Sequence, residues 1–447
     1  MTEEQGKKLG AGRPVIAIGK QEGARSEPPR LPPQRWSAAM LAQAPHRISF
    51  FLAMVVLIAS GIWWALVQLD RSTGAALLPY GMPPMLGHSI VMCFGFFPLF
   101  FAGFLFTAGP KWLHVEPPNM SAILPPLLMQ AFGWLLWLVG AMSFQSIAMA
   151  ALGIAWLGFT WMCAIYWGLV RRSRMEDRIH AKAIAVACAV GCVSLAAAGL
   201  GLLTGRIDIT RAFVLTAVWG FVGVVYIVVA HRMIPFFTSS ALPFIDVWRP
   251  FWVLWLLLAA MAVRVADAWI STYLLSGSLH TAWSIVCGSF ELVAGGMLMW
   301  LAYRWGLVQS LKNHLLAMLH IGFSWIGIAF VIAGGVKWIS LFMPVSGWEL
   351  AALHAFTMGA LGSLLLAMVT RVSCGHSGRM LHADSVVWGL FCLLQATVVM
   401  RVAAALGGGL GAWLLSGAAL LWVVIVAIWG GRLCSWYGKP RADGRPG

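Results

Sequence analysis

Apolar residues along this chain fall into long unbroken blocks, not into the alternation of a strand or the one-sided stripe of a soluble helix. The blocks lie at 48–69, 86–107, 122–142, 147–170, 181–203, 211–235, 251–275, 284–304, 314–337, 349–370, 385–406 and 411–432. Each is long enough to cross a hydrocarbon core of about 30 Å as a helix. A helix satisfies its own backbone in lipid, where water cannot. The pattern predicts an all-α fold: a polytopic membrane helix bundle with about twelve transmembrane helices, forming one membrane domain over 46–435. Two soft points interrupt it, Pro98 inside the second block and a short hairpin at 143–146.

The remainder of the chain is polar. Residues 1–45 are rich in Pro, Gly, Lys and Arg without apolar period, and read as a disordered basic tail. They contain no apolar h-region, so a cleaved signal peptide is not expected. Residues 436–447 read as a second, short tail. Composition agrees with the block pattern: 60% of residues are hydrophobic and 10% charged. Many of the tryptophans, among them Trp63, Trp64, Trp112, Trp248, Trp338 and Trp348, lie near block ends, as interfacial belts require.

The net charge of +15 suggests nucleic acid until its distribution is considered. The basic residues occupy the tails and alternate loops. One side carries Lys111, then Arg171, Arg172, Arg174 and Arg178, then Arg232 and Arg249, Arg304 and Lys312, and Arg371 and Arg379. The other side carries only Arg71, Arg206, Arg211 and Lys337. The positive-inside bias therefore puts both termini in the cytoplasm and leaves no reason for a nucleic-acid partner. The eight cysteines include no CxxC pair and no CxxCH sequence, which removes support for covalent heme attachment or a thiolate zinc site. Cys188 and Cys192, one turn apart, read as small packing residues.

With this topology each histidine acquires a depth. His88 lies near the outer end of the second span, and His354 about 9 Å below the outer surface in the tenth, at 1.5 Å per residue. Two imidazoles at matched depth on facing helices can clamp a planar macrocycle. The small residues Gly359, Ala360 and Gly362 would admit a flat cofactor or a neighbouring helix. A second group, His231, His320, His376 and His314, falls in the inner half. This group is expected to hold a second heme or a copper ion, with His320, His376 and His231 supplying three nitrogens in the copper case. The alternative for each is a hydrogen bond to a neighbouring carbonyl or a solvated position at a helix end. His46, His114, His180, His280 and His382 read as loop residues. Charges inside spans are costly and mark sites or pairs. Arg264 can pair with Asp267 one turn away, or with Glu291. Glu291 is otherwise a candidate for a proton path. Arg401, with no acidic neighbour in sequence, could meet a heme propionate, as could Arg264.

The segment 353–379, LHAFTMGALGSLLLAMVTRVSCGHSGR, resembles the signature of the NnrS family of bacterial inner-membrane proteins. The resemblance extends over roughly 44–432. Ala44-Pro45-His46-Arg47 is similar to the family's first segment, Gly103-Phe104-Leu105-Phe106-Thr107-Ala108 with Pro110 and Trp112 to the end of its second helix, Arg232-Met233-Ile234-Pro235-Phe236-Phe237-Thr238 to its R-x-I-P-x-F-T element, and Leu319-His320-Ile321-Gly322 to its L-H-x-G helix. The resemblance implies heme b, copper, and a role in the response to nitric oxide and nitrosative stress, by gas binding or electron transfer. The electron donor stays open. One departure stands out. Where the family commonly has H-A-H-E-M, this chain has His88-Ser89-Ile90-Val91-Met92, which puts one family ligand, and with it copper, in question.

Two other functions compete. Twelve spans with both termini on one side also suit a secondary transporter, although no internal repeat relates 48–235 to 251–432. A heme-copper nitric oxide reductase needs two adjacent histidines, and no His-His pair occurs.

Overall fold

The computed structural model describes residues 35–407 and 411–444. Twelve helices long and apolar enough to cross a membrane occur among them. They are α1 (Pro45–Thr73), α2 (Pro84–Leu105), α3 (Met120–Met142), α4 (Gln145–Arg172), α5 (Ile179–Leu203), α6 (Ile207–Ala241), α7 (Phe251–Leu274), α8 (Gly277–Arg304), α9 (His314–Ile339), α10 (Glu349–His376), α11 (Ser385–Ala405) and α12 (Gly411–Tyr437). No strand occurs among the described residues. The polytopic all-helical bundle expected from the blocks is the observed fold, and most ends differ from expectation by one to a few residues.

Both soft points matter. Pro98 cannot donate to the helix ladder, and α2 breaks ahead of it into Pro84–Phe94 and Phe97–Leu105. Pro98 then occupies the first turn of the second piece, where a missing N–H leaves nothing unpaired. The hairpin between α3 and α4 is tight, and these two helices pack along their length. Three helices also widen locally into π turns, at Val218–Gly223 in α6, Ile270–Leu274 in α7 and Ala355–Gly362 in α10. Such widenings recur at functional sites.

Close approach through small residues holds the bundle where lipid offers no hydrophobic drive. On α8 and α9, a Cβ on Gly295 would come within 2.8 Å of the Gly327 carbonyl oxygen, so neither position tolerates a side chain without a shift. The outer surface is apolar, with Phe132, Val193 and Leu200 all exposed, as a lipid-facing surface requires.

First and last spans meet. The Arg47 guanidinium donates to the carbonyls of Tyr437 (3.1 Å) and Lys439 (2.8 Å). Both ends of the membrane domain therefore lie at one face, the terminal face; the opposite one is the far face. Two boundaries need correction. The segment expected to be tail up to residue 45 contains a short 3-10 helix, Ala38–Gln43, with Leu41 buried. Just before it, the Trp36 indole donates to the Cys434 carbonyl at 3.1 Å. The membrane domain likewise runs past 435, since α12 continues to Tyr437. The remainder of the expected tails, 1–34 and 445–447, lies outside the described residues.

Candidate functional site

The far-face half of the bundle contains a cavity of about 420 Å³ between α2, α6, α7 and α10, lined by both His88 and His354. A smaller space of about 90 Å³ adjoins it, shares both histidines, and adds Trp64 of α1, Arg401 of α11 and Trp422 of α12. The two imidazoles expected at matched depth are thus brought together, with Arg401 beside them.

Each ring is held differently. His354 is the last residue before the π turn of α10, and its Nδ1 lies 2.8 Å from the Leu350 carbonyl oxygen one turn back. A carbonyl only accepts, so Nδ1 carries the proton and Nε2 keeps its lone pair. This is the bond to a neighbouring carbonyl that stood as the alternative to ligation; it also leaves Nε2 free, as in histidines whose other nitrogen binds a metal. His88 stacks on Trp64, with ring centroids 3.8 Å apart and an interplanar angle of 21°. Its Nδ1 is buried without a hydrogen-bond partner. Arg401 makes no hydrogen bond or ion pair among the described residues, although it borders an otherwise apolar space. Gly362 lines that space, whereas Gly359 serves helix packing: a Cβ there would lie 2.7 Å from Trp325 of α9.

Arg264, the other arginine considered for a propionate, is occupied. It pairs with Glu291 at 2.5 Å and lies 3.6 Å from Asp267, while Lys337 bridges Glu291 (2.9 Å) and Asp267 (2.6 Å). Two cations and two carboxylates make a neutral quartet among α7, α8 and α9. Pairing therefore accounts for Glu291 as well. Lys337, read from sequence as a loop charge, is the member that hydropathy could not reveal. The quartet still touches the cavity: Arg264 lines its wall and lies 4.7 Å above the Trp219 ring. Trp219 stacks at 4.3 Å on Phe356, two residues after His354.

The terminal-face half does not assemble the expected three-nitrogen site. His231 Nδ1 lies 3.0 Å from His180 Nε2, and its own Nε2 lies 3.2 Å from the Pro250 carbonyl. His320 Nε2 meets the Thr238 hydroxyl at 2.9 Å. His376 lies against His46, with centroids 4.1 Å apart and the rings tilted by 34°. His314 stacks on Trp388 at 4.4 Å. The three residues expected to share a metal have three different partners, and no group of three or more His, Cys, Asp or Glu side chains suited to a metal occurs among the described residues. His46 and His180 are not loop residues. Both lie in the first turn of a helix and are buried, at 6% and 3% exposure. The one available signal was Pro45, which favours the first turn of a helix and so moves the start of α1 ahead of His46.

A family model described as NnrS protein matches residues 40–441. The chain belongs to the NnrS family. Membership supports a role in the nitric oxide response. No curated protein matches the chain. The one departure from the NnrS pattern can now be placed. Ile90 and Val91 are both fully buried in the core and neither lines the histidine cavity. Residues two apart on a helix do not share a face, so a histidine at position 90 would not join His88 on this wall. The NnrS-family chain therefore keeps the imidazole that faces the cavity and differs on the side that packs away from it.

Proposed function

We propose that this NnrS-family protein binds a b-type heme, without covalent attachment, in the cavity between α2 and α10, and acts through it in the nitric oxide response. The observation that carries this reading is the His354 Nδ1 contact to the Leu350 carbonyl, which leaves Nε2 as an uncommitted ligand on a cavity wall. The other lining residues fit such a group. The cavity volume lies within the about 300–1,000 Å³ usual for cofactor sites. His88 supplies a second imidazole, immobilised by Trp64. Arg401 is an unpaired cation beside apolar walls, suited to a propionate. When bound, heme iron supplies one-electron chemistry and, with an open axial position, gas binding. The protein's part is to present His354 and to hold His88 in the same cavity, whose wall also carries Arg264 and the Arg211–Glu349 ion pair.

Copper has weaker support, because the imidazoles expected to bind it are dispersed over separate partners. Replacing His354 by Ala should remove most of the Soret absorbance of the purified protein; an unchanged spectrum would rule out His354 as a ligand. A wild-type protein with no Soret band at all would favour the transporter reading.

We also place both termini in the cytoplasm, on the strength of the basic bias of alternate loops. Reporters fused after the last residue should be active if they require the cytoplasm and silent if they require export. The reverse pattern would invert the molecule in the membrane.

A further inference from the structure

A third cavity, of about 120 Å³, lies toward the terminal face from the histidine site, between α2, α6, α9 and α10. Its lining is aliphatic and aromatic throughout, and Tyr226 is the one titratable side chain in it. The Tyr226 hydroxyl has no hydrogen-bond partner. A buried water needs two to four polar partners, so this space stays dry; apolar cavities of roughly 150 Å³ remain empty and take up xenon.

The cavity continues a path that begins at the histidines. Leu365 lines both this space and the one containing His88, His354 and Arg401. On α10, Thr357 and Leu361 face the histidine cavity, while Met368 and Val372 face the dry one. With Leu365 between them, these positions follow steps of three and four and so form a single helix face. The terminal-face end is guarded by charge. Phe237 and Trp112 line the cavity, and each carries an arginine: Arg371 at 4.0 Å and Arg232 at 4.9 Å from the ring centroids. A cation held against a ring keeps its own hydration outside that ring, so ions and water meet a charged, aromatic floor, whereas an uncharged solute dissolved in lipid meets only hydrocarbon.

We infer that this cavity is a binding site for a small uncharged gas molecule, held one side chain away from the histidine cavity. Occupancy requires no heme; only the use of the stored gas at His354 rests on the function proposed above.

Crystals of the full chain pressurised with xenon give the test. Xenon should appear among Phe101, Tyr226 and Met368 in the wild type. Ala230→Leu, which fills the space, should reduce that occupancy several-fold, and Met368→Ala, which enlarges it, should raise it. If Ala230→Leu fails to fold, Met368→Ala alone decides. Ordered water in the cavity, no xenon there, or occupancy indifferent to both changes would overturn the inference. The Soret band of the same preparations separates the two proposals: xenon without heme removes the heme reading and leaves the gas site, and heme without xenon does the reverse.

Discussion

The two halves of the bundle contain the same residue type in different surroundings. Toward the far face, His88 and His354 each retain a nitrogen with no protein partner and border open space. Toward the terminal face, His180 and His231 bond each other, His320 meets Thr238, and His46 lies against His376; Nδ1 of His46, His180 and His320 also lacks a partner among the described residues, but these rings do not line the histidine cavity. A histidine in a membrane helix is therefore informative through whether its free nitrogen belongs to a ring that borders a cavity. The charges repeat the lesson: Arg264 is consumed by a quartet and Arg401 is left over.

The largest effect that would sharpen this contrast is spectroscopic. His354→Ala should abolish most heme absorbance, while His376→Ala and His180→Ala should leave the spectrum intact. Equal losses in all three would erase the distinction between the halves. Next comes the quartet. Glu291→Leu leaves Arg264 and Lys337 competing for Asp267 in a low-dielectric setting. Removing one member of such a buried network costs about 3–5 kcal/mol, so the thermal midpoint in detergent should fall markedly. An unchanged midpoint would mean that these charges are solvated and that the cavity wall does not depend on them.

The smallest effect lies outside the membrane. Asp384 is held below the usual carboxylate range, chiefly by the side-chain bond from Arg432 and also by the Val387 amide, against the opposing effect of burial. Its folded value is depressed, so the stabilisation is complete above the unfolded value of about 3.9 and is lost as pH falls through the folded one. Because the carboxylate is 41% exposed, screening limits it to a fraction of a kcal/mol. Wild type and Asp384→Asn should keep a constant difference in stability from pH 7 to 5, and the difference should narrow only below about pH 4. Narrowing near neutrality would show that another group sets it.

The sequence showed much of this and missed the rest for definite reasons. Span number and most boundaries follow from block length alone, because lipid leaves the backbone few alternatives. The pairing of His88 with His354 followed from alternating direction plus depth. Arg264 and Glu291 were candidates for a pair because both lie inside apolar spans, although Asp267 was a nearer candidate for Arg264. Lys337 was misjudged: it lies two residues before the end of α9, where hydropathy treats a lysine as interfacial, and its long side chain instead turns inward to Glu291 and Asp267. His46 and His180 were misjudged because each begins a helix, where an average over a window blurs the boundary. The π turns leave no periodic trace. Those in α6 and α10 line the histidine cavity, a product of packing between helices distant in sequence.

The meeting of α1 with α12 has a consequence for the order of synthesis. The smaller histidine space takes walls from Trp64 near the start of the chain and from Trp422 near its end. A growing chain has made His88 long before it makes His354, and it has both before α12 exists. Until the last span leaves the ribosome, the site is open on one side to lipid. Anything taken up there is enclosed only once α12 has been made, and a chain cut short before α12 would carry both histidines without the enclosure.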